Sequence, residues 1–280
     1  MIPQGKDALG AMRRRVSTRS YQDRPVDAAI LHSLLSAAEG ADHVSNAPPR
    51  VSLISGTELT SRVLTFVVGS YGLVLNAPHL LAGILPSESP AARVDLGYVL
   101  EQVVLKATEF GLGTCWITGT YDSNAAGDAV ETSSSEVVAA VCALGRPSET
   151  RLGRFHSALV HRLAGAGRRK PLSEIAYLET WGGAWSAEGA DPSLVTVLEH
   201  CRLAPSAANR QPWRFIIRRD AVVLALERSR PIDAGIVMSH FALAAASLGM
   251  SGRWDLRWDD PSLALECRLP RTAVLAAVFA

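Results

Sequence analysis

Two stretches of the chain decide its architecture because they read alike. Residues 95–116 are DLGYVLEQVVLKATEFGLGTCW, and residues 233–254 are DAGIVMSHFALAAASLGMSGRW. In both, an Asp-x-Gly triplet opens a largely apolar run that ends at a glycine, and a tryptophan follows five residues later. Each matched position lies 138 residues from its counterpart. Such a repeat predicts two related halves packed about a pseudo-two-fold axis, with shared sites where they meet.

The rest of the pattern fits two such halves, residues 1–172 and residues 173–280. Apolar periodicity predicts helices over 7–15, after Pro25-Val26-Asp27, and over 95–110, 193–203 and 233–248. Apolar runs predict strands over 51–54, 80–85, 136–144, 213–218, 221–226, 263–268 and 273–279. Residues 148–190, rich in Arg, Gly and Ser, are interpreted as the connection. The predicted fold is α+β, with a central antiparallel or mixed sheet in each half.

Composition excludes several classes of function. The formal net charge of the 280-residue chain is +1, so nothing attracts it overall to nucleic acid or to an anionic membrane. No apolar run approaches the roughly 20 residues of a membrane span, and the N-terminus has no signal-peptide pattern. The four cysteines lack the spacing of a zinc site, which favours buried free thiols. We therefore expect a cytoplasmic protein with no metal.

The first candidate site is the segment Arg15-Val16-Ser17-Thr18-Arg19. Two guanidiniums four residues apart, with a hydroxyl between them, suit a phosphate or an electron-rich carbonyl edge. On these residues alone, a basic exposed turn is the commoner explanation.

The second candidate is the loop at residues 203–213, LAPSAANRQPW. Ser206, Asn209 and Gln211 are compact or planar hydrogen-bonding groups that two prolines hold in place, which suits recognition of a flat heterocycle. A capped turn explains the same residues equally well.

The third candidate is the glycine-rich stretch at residues 111–119, GLGTCWITG, where backbone can approach a ligand closely. A simple helix-to-strand turn is the alternative, and the spacing matches no Walker A or dinucleotide motif. Neither the seven histidines nor the cysteines and serines form a nucleophilic set. Chemistry in this chain therefore points to a cofactor.

Taken in order, these motifs resemble the nitroreductase superfamily and, within it, the single-chain TM nitroreductase branch. In ordinary members the Arg-x-Ser-x-Arg/Lys and Pro-Ser-x-x-Asn-x-Gln-Pro-Trp segments meet at FMN from opposite subunits. Here they lie in opposite halves of one polypeptide. The resemblance thus implies a single-chain pseudo-dimer that binds FMN at its seam and needs no obligate homodimer.

The resemblance also implies a role for each site residue. Arg15 and Ser17 would hold the FMN phosphate, with Arg19 at the N1/O2 edge of the ring. The other implied cofactor-binding residues are Ser206 at the phosphate, Asn209 and Gln211 along the flavin or ribityl chain, and the backbone of Thr118 and Gly119 near N5 and O4. Arg168 and Lys170 resemble a phosphate-binding segment, although a solvated linker is nearly as good an explanation.

The implied activity is an FMN-dependent NAD(P)H oxidoreductase that reduces a nitroaromatic, quinone or similar small acceptor by ping-pong hydride transfer. Two departures from the family bear on the substrate. Residues 116–119 replace the usual Pro-x-Glu-Gly turn, and the segment between Arg146 and Arg168 is longer than the core requires. A non-catalytic flavin-binding or storage protein, its face blocked by Trp116, is therefore the alternative, and a pseudo-enzyme without flavin is a third possibility. Only one set of ligands survives in the repeat, which predicts one FMN per chain.

Overall fold

The computed structural model describes residues 6–64, 74–150 and 167–280. Its longer helices are α1 (Lys6–Arg14), α2 (Ala28–Glu39), α4 (Pro90–Glu109), α7 (Pro192–Cys201) and α8 (Pro231–Ser247). Shorter ones are α3 (Thr57–Val63), α5 (Ser123–Ala129), α6 (Leu172–Ile175) and α9 (Pro261–Glu266), with a 3₁₀ turn at Ala207–Asn209. The strands are β1 (Arg50–Ser55), β2 (His79–Leu85), β3 (Gly113–Ile117), β4 (Val137–Gly145), β5 (Ala176–Leu178), β6 (Trp213–Ile217), β7 (Val222–Leu226), β8 (Trp254–Leu256) and β9 (Val274–Phe279).

The strands form two sheets of the same design. The first has the order β1-β2-β4-β3, and the second has the order β5-β6-β7-β9-β8. Without β5, the second sheet repeats the first strand by strand, with antiparallel pairing throughout and a bulge between its second and third strands. Strand β5 adds to the edge of the second sheet, parallel to β6. The mixed α+β class predicted from the sequence is confirmed.

Each long helix of the repeat packs on its own sheet, α4 on the first and α8 on the second, and the two helices pack against each other. A Cβ atom at Gly97 would lie 2.2 Å from the carbonyl oxygen of Ile232, and one at Gly235 would lie 1.9 Å from that of Val94. Val94 and Ile232 are themselves 138 residues apart. The two glycines therefore make reciprocal contacts, which let the helices approach backbone to backbone.

One predicted strand is wrong. Residues 263–268 do not form a strand, because Pro261–Glu266 form helix α9. Asp260 caps this helix by accepting hydrogen bonds from the amides of Ser262 and Leu263, and Pro261 suits its first turn. The alternation of Leu263 and Leu265 imitates a strand over too few residues to outweigh these start signals.

Helices α3 and α5 and strands β3 and β8 have no counterpart among the predicted elements, and the other differences lie at boundaries and in the connection. Helix α4 begins five residues before its predicted start, where the Ser89 hydroxyl accepts a hydrogen bond from the Ala92 amide. The predicted connection at 148–190 contains α6 and β5, while its residues 151–166, including most of the long segment after Arg146, lie outside the described residues. All four cysteines are buried and free, as predicted.

Candidate functional site

The Arg15–Arg19 segment follows α1 and runs alongside β3. The Thr18 amide donates to the carbonyl oxygen of Thr114 over 2.8 Å, and Ser17 forms a parallel bridge with the same residue. A Cβ at Gly113 would lie 2.4 Å from the Thr18 hydroxyl, so glycine is needed for this close approach. Strand β3 belongs to the third candidate motif, residues 111–119. The fold therefore brings the first and the third candidate motifs side by side.

Arg15 is buried beside a carboxylate that the motif search did not single out. Its side chain is 4% exposed, and its Nε lies 4.0 Å from Oε1 of Glu101, which is fully buried in α4. Within the described residues, that Nε has no hydrogen-bond partner. Trp116 contacts the same carboxylate, since its indole N–H donates to Oε2 over 2.7 Å. The guanidinium of Arg15 is thus removed from water without a full set of acceptors.

Arg19, like Arg15, lies near Cys115 of β3. It is half-buried, and its charge, followed by that of Arg15, opposes the larger effect of burial, which raises the pKa of the Cys115 thiol. Thr118 and Gly119 are exposed just beyond the end of β3. No hydrogen bond among the described parts of the chain joins these two residues to the loop at 203–211.

Arg169 links the basic segment at 168–170 to the loop at 203–209. Its guanidinium donates to the carbonyl oxygens of Ala204 (2.9 Å) and Leu203 (3.1 Å) and to Oδ1 of Asn209 (3.1 Å). Burial, and then the neighbouring charge of Arg15, lower the pKa of Arg169 to about 10. The half-buried Arg169 is therefore near enough to the buried Arg15 for the two like charges to interact, although they come from distant parts of the sequence.

The second motif forms a loop fastened to the basic segment. The side-chain amides of Asn209 and Gln211 donate to the carbonyl oxygen of Arg168 over 2.9 and 3.0 Å, and the Lys170 amide donates to Oε1 of Gln211 over 2.9 Å. Ser206 accepts a hydrogen bond from the Gln211 amide over 2.9 Å. These groups were predicted to contact flavin, and here they shape the loop through contacts with its neighbours.

The backbone of this loop is strained. Ala208, Asn209 and Gln211 have φ angles of 55°, 51° and 47°, in the left-handed region that favours glycine. Such conformations persist when surrounding contacts over-determine them, and they concentrate at ligand-binding sites. The side-chain hydrogen bonds to residues 168–170 supply that constraint.

Arg168 and Lys170 lie at the surface end of the site. Arg168 is exposed, whereas Nζ of Lys170 lies 3.5 Å from Oε1 of Glu227. Both residues, with Arg169, Asn209 and Gln211, line a cavity of about 360 Å³. The residues predicted from the basic run were Arg168 and Lys170, whereas Arg169 is the one whose guanidinium contacts the loop.

Asp95 and Asp233 occupy matching positions in the repeat, and each binds the backbone of a loop. Asp95 binds the loop before β1, and Asp233 binds the loop before β6. Asp95 accepts hydrogen bonds from the amides of Val44 (2.6 Å) and Ser45, and from the Ser45 hydroxyl. Its counterpart Asp233 accepts one from the Ala207 amide (3.1 Å), and its other oxygen has no partner within the described residues. Burial raises the pKa of Asp233 to about 6, and the bond from Ala207 opposes that effect.

This difference predicts opposite effects for the two Asp→Asn substitutions. The raised pKa means that folding disfavours ionised Asp233, so the penalty is absent below about pH 4, grows up to about pH 6 and is constant above. Asp233→Asn should therefore raise the free energy of unfolding by about 2 kcal/mol at pH 8 and by little at pH 4. Asp95→Asn, which turns an acceptor into a donor, should lower it. Urea unfolding at both pH values measures this, and a loss of stability for Asp233→Asn at pH 8 would contradict it.

Neither a metal site nor a membrane span is found among the residues that the structure describes. No group of three or more His, Cys, Asp or Glu side chains could hold a metal ion. No described helix combines the length and apolar character that crossing a bilayer requires.

Comparisons with known proteins show which folds the chain resembles. A putative nitroreductase from Thermotoga maritima superposes with a TM-score of 0.61 at 18% sequence identity, covering 100% of this chain and 95% of its own. A nitroreductase family protein from Clostridium novyi matches with a TM-score of 0.44 at 20% identity, covering 63% of this chain and 95% of its own. A search of curated proteins finds no match. The similarity to the Thermotoga protein extends over the whole chain and establishes the fold.

The family model described as "Putative TM nitroreductase" matches residues 7–245. That range includes the Arg15–Arg19 segment, β3 and the loop at 203–211, and it ends within α8. The chain therefore belongs to this family, and with it to the nitroreductase-type oxidoreductases.

Proposed function

We propose that the protein is an FMN-dependent NAD(P)H oxidoreductase that reduces a nitroaromatic, quinone or similar small acceptor. The observation that carries the proposal is the buried guanidinium of Arg15, whose charge adds to the effect of burial and lowers the pKa of the half-buried Arg169. Arg15 also has a buried Nε without a hydrogen-bond partner in the described residues. An anionic group between them would relieve the repulsion and supply acceptors, and the phosphate of FMN is such a group.

The residues present fit this cofactor. Arg15 and Ser17 would hold the phosphate together with Arg169, which extends the set that the motifs imply. Arg19 would face the pyrimidine edge of the ring. The remaining contacts are proposed for Ser206, Asn209, Gln211 and the backbone of Thr118 and Gly119, with Arg168 and Lys170 at the outer end of the phosphate site.

When bound, FMN accepts hydride from NADH or NADPH and passes the electrons to the acceptor. The chain's own contribution is positioning and charge. Arg19 would stabilise negative charge that develops at the N1/O2 edge, as a preorganised cation does without reorganising solvent. The close approach of Thr18 to Gly113 holds the neighbouring Arg19 beside β3.

We also propose that residues 1–172 and 173–280 derive from one duplicated half. The identical order of four strands in each sheet, the reciprocal contacts of Gly97 and Gly235 and the matched roles of Asp95 and Asp233 support this origin. Duplication would let one chain supply both sides of the site, so no homodimer would be needed.

A flavin-binding protein without turnover is the second candidate, and one observation favours it. By the family resemblance, Trp116 replaces the first residue of a Pro-x-Glu-Gly turn, and the hydrogen bond of its indole to buried Glu101 fixes its position. A fixed indole near the ring would limit which acceptors reach it.

Absorption spectra of freshly purified protein test the proposal. We expect flavin bands near about 370 and 450 nm, a property of the cofactor itself, and steady oxidation of NADH or NADPH in the presence of a quinone or nitroaromatic. Flavin without turnover would favour the second candidate, and protein that takes up no FMN would overturn both.

Titration of the apo-protein with FMN should saturate at one FMN per chain, and the protein should bind it as a monomer. At the place equivalent to the proposed site, His43 and Arg253 line a cavity of about 1040 Å³ where the first site has Ser206 and Cys115. That cavity has no counterpart of the Arg-x-Ser-x-Arg segment, and two of the arginines that line it, Arg218 and Arg257, are already paired with carboxylates. A second flavin would therefore lack the Arg pair that the first site offers to a phosphate. Two flavins per chain, or binding by dimers alone, would contradict this stoichiometry.

Arg19→Ala should weaken FMN binding and slow flavin reduction more than Arg13→Ala. Arg19 lies beside β3, whereas Arg13 is exposed in the last turn of α1. The loss of one charge-assisted hydrogen bond is worth roughly 1.5–3 kcal/mol in binding. Dissociation constants from flavin fluorescence measure it, and small, equal effects of the two substitutions would argue against the placement of Arg19.

A further inference from the structure

A buried acid–imidazole pair connects the two halves directly behind the proposed phosphate site. Oε1 of Glu101 in α4 lies 3.0 Å from Nε2 of His240 in α8, and both side chains are fully buried. The other carboxylate oxygen accepts the hydrogen bond from Trp116. Both oxygens of Glu101 are thus engaged by short contacts to residues other than Arg15.

Counting protons fixes the charge of this pair. Nδ1 of His240 lies 3.0 Å from the carbonyl oxygen of His200, which can only accept, and Nε2 faces the carboxylate. Two contacts therefore need two protons, carried by an imidazolium facing a carboxylate or by a neutral ring facing a carboxylic acid. The two forms differ only in the location of one proton, and in both the pair is neutral.

Glu101 consequently does not neutralise the positive charge of Arg15. Its nearest contact with Glu101 is 4.0 Å, longer than a hydrogen bond, and its Nε is without a hydrogen-bond partner in the described residues. We propose that His240 is a positioning residue that neutralises Glu101 and so leaves Arg15 available to the phosphate of FMN. This inference rests on the proposed function.

The same geometry says what happens without His240. Glu101 would then be a buried carboxylate whose nearest cation is Arg15, and an uncompensated buried charge is costly. The two would pair, and the phosphate would have to compete with Glu101 for the guanidinium. The loss should be specific for the phosphate, since the isoalloxazine and ribityl groups do not depend on that charge.

Affinities for FMN and for riboflavin, which lacks the phosphate, test this directly. His240→Asn should lower the affinity for FMN on the order of tenfold, the scale of one charge-assisted hydrogen bond, and change that for riboflavin little. Glu101→Gln should keep the ratio of the two affinities at or above that of the wild type. The double variant His240→Asn/Glu101→Gln should recover the ratio that His240→Asn loses.

Controls separate this role from a purely structural one. His240→Gln, which can donate to Glu101 but carries no charge, should behave like His240→Asn, and it serves if the Asn variant does not fold. Equal losses for FMN and riboflavin, or a double variant that recovers nothing, would overturn the inference while leaving the proposed function in place. Wild-type protein that binds neither flavin would overturn the proposed function and the inference with it.

Discussion

Gly235→Ala should lower the free energy of unfolding by about 3 kcal/mol or more, at the upper end of the range for overpacked cores. The new methyl group would lie 1.9 Å from the carbonyl oxygen of Val94 and 2.7 Å from the amide nitrogen of Tyr98. Both atoms are backbone of helix α4, so no side-chain rotation can make room. Helices α4 and α8 would have to separate, and the seam between the halves would open. Urea unfolding measures the loss as a lower midpoint.

Two further glycines calibrate this expectation. Gly97→Ala, the reciprocal position, should cost a similar amount, because its methyl group would lie 2.2 Å from the carbonyl oxygen of Ile232. Gly10→Ala in α1 is the matched control, since its nearest neighbour is the flexible guanidinium of Arg14 at 2.9 Å. It should gain up to about 1 kcal/mol from helix propensity. A Gly235→Ala protein as stable as Gly10→Ala would mean that the helices do not cross as described.

Arg169→Ala should cost both stability and flavin affinity. The substitution removes the hydrogen bonds that Arg169 donates to the carbonyl oxygens of Ala204 and Leu203 and to Oδ1 of Asn209. Unsatisfied buried acceptors cost about 1–3 kcal/mol each, though not additively. We expect a loss of roughly 2–4 kcal/mol in the free energy of unfolding and, because the strained loop would relax, a fall in FMN affinity on the order of tenfold or more.

The neighbouring residue provides the comparison. Arg168 has the same chemistry but is exposed, so Arg168→Ala should change the free energy of unfolding by less than about 0.5 kcal/mol. Thermal and urea unfolding, with flavin titration, compare the two variants. If Arg168→Ala had the larger effect on either quantity, the assignment of Arg169 as the cation that joins the loop to the site would be wrong.

Elements with strong apolar patterns could be predicted from the sequence. The helix from Pro90 and the strand at Val137–Gly145 are almost wholly buried, so their apolar runs are long. Helix α9 was missed because six residues give too short a pattern, and its capping Asp260 was the better signal. The short strand Trp254–Leu256 has only one buried residue, and no local pattern could reveal it.

The site was predictable where a motif fixes spacing and not where burial decides. Three consecutive basic residues at 168–170 look equivalent in sequence, and only the path of the chain directs the guanidinium of Arg169 to the carbonyl oxygens of the loop. Glu101 and His240 lie within largely apolar helices, and nothing in the local sequence identifies the partner of either residue. The sequence did signal that Asp233 lacks a partner. Asp233 aligns with Asp95, and in the preceding loops, where Asn46 and Asn209 match at an interval of 163 residues, Ala208 replaces Ser45, whose hydroxyl satisfies Asp95.

The hydrogen bond between Glu101 and His240 joins residues 139 apart in the sequence, and it has a consequence for the order of folding. Closing so long a loop is slow, because its entropy must be lost before any contact across the seam compensates for it. Until then the cations contributed before and after the middle of the chain are far apart, and no surface exists that could recognise a phosphate. A cofactor held at this seam therefore cannot serve as a nucleus for the folding chain. It can bind only afterwards, once the two halves of the chain have packed together.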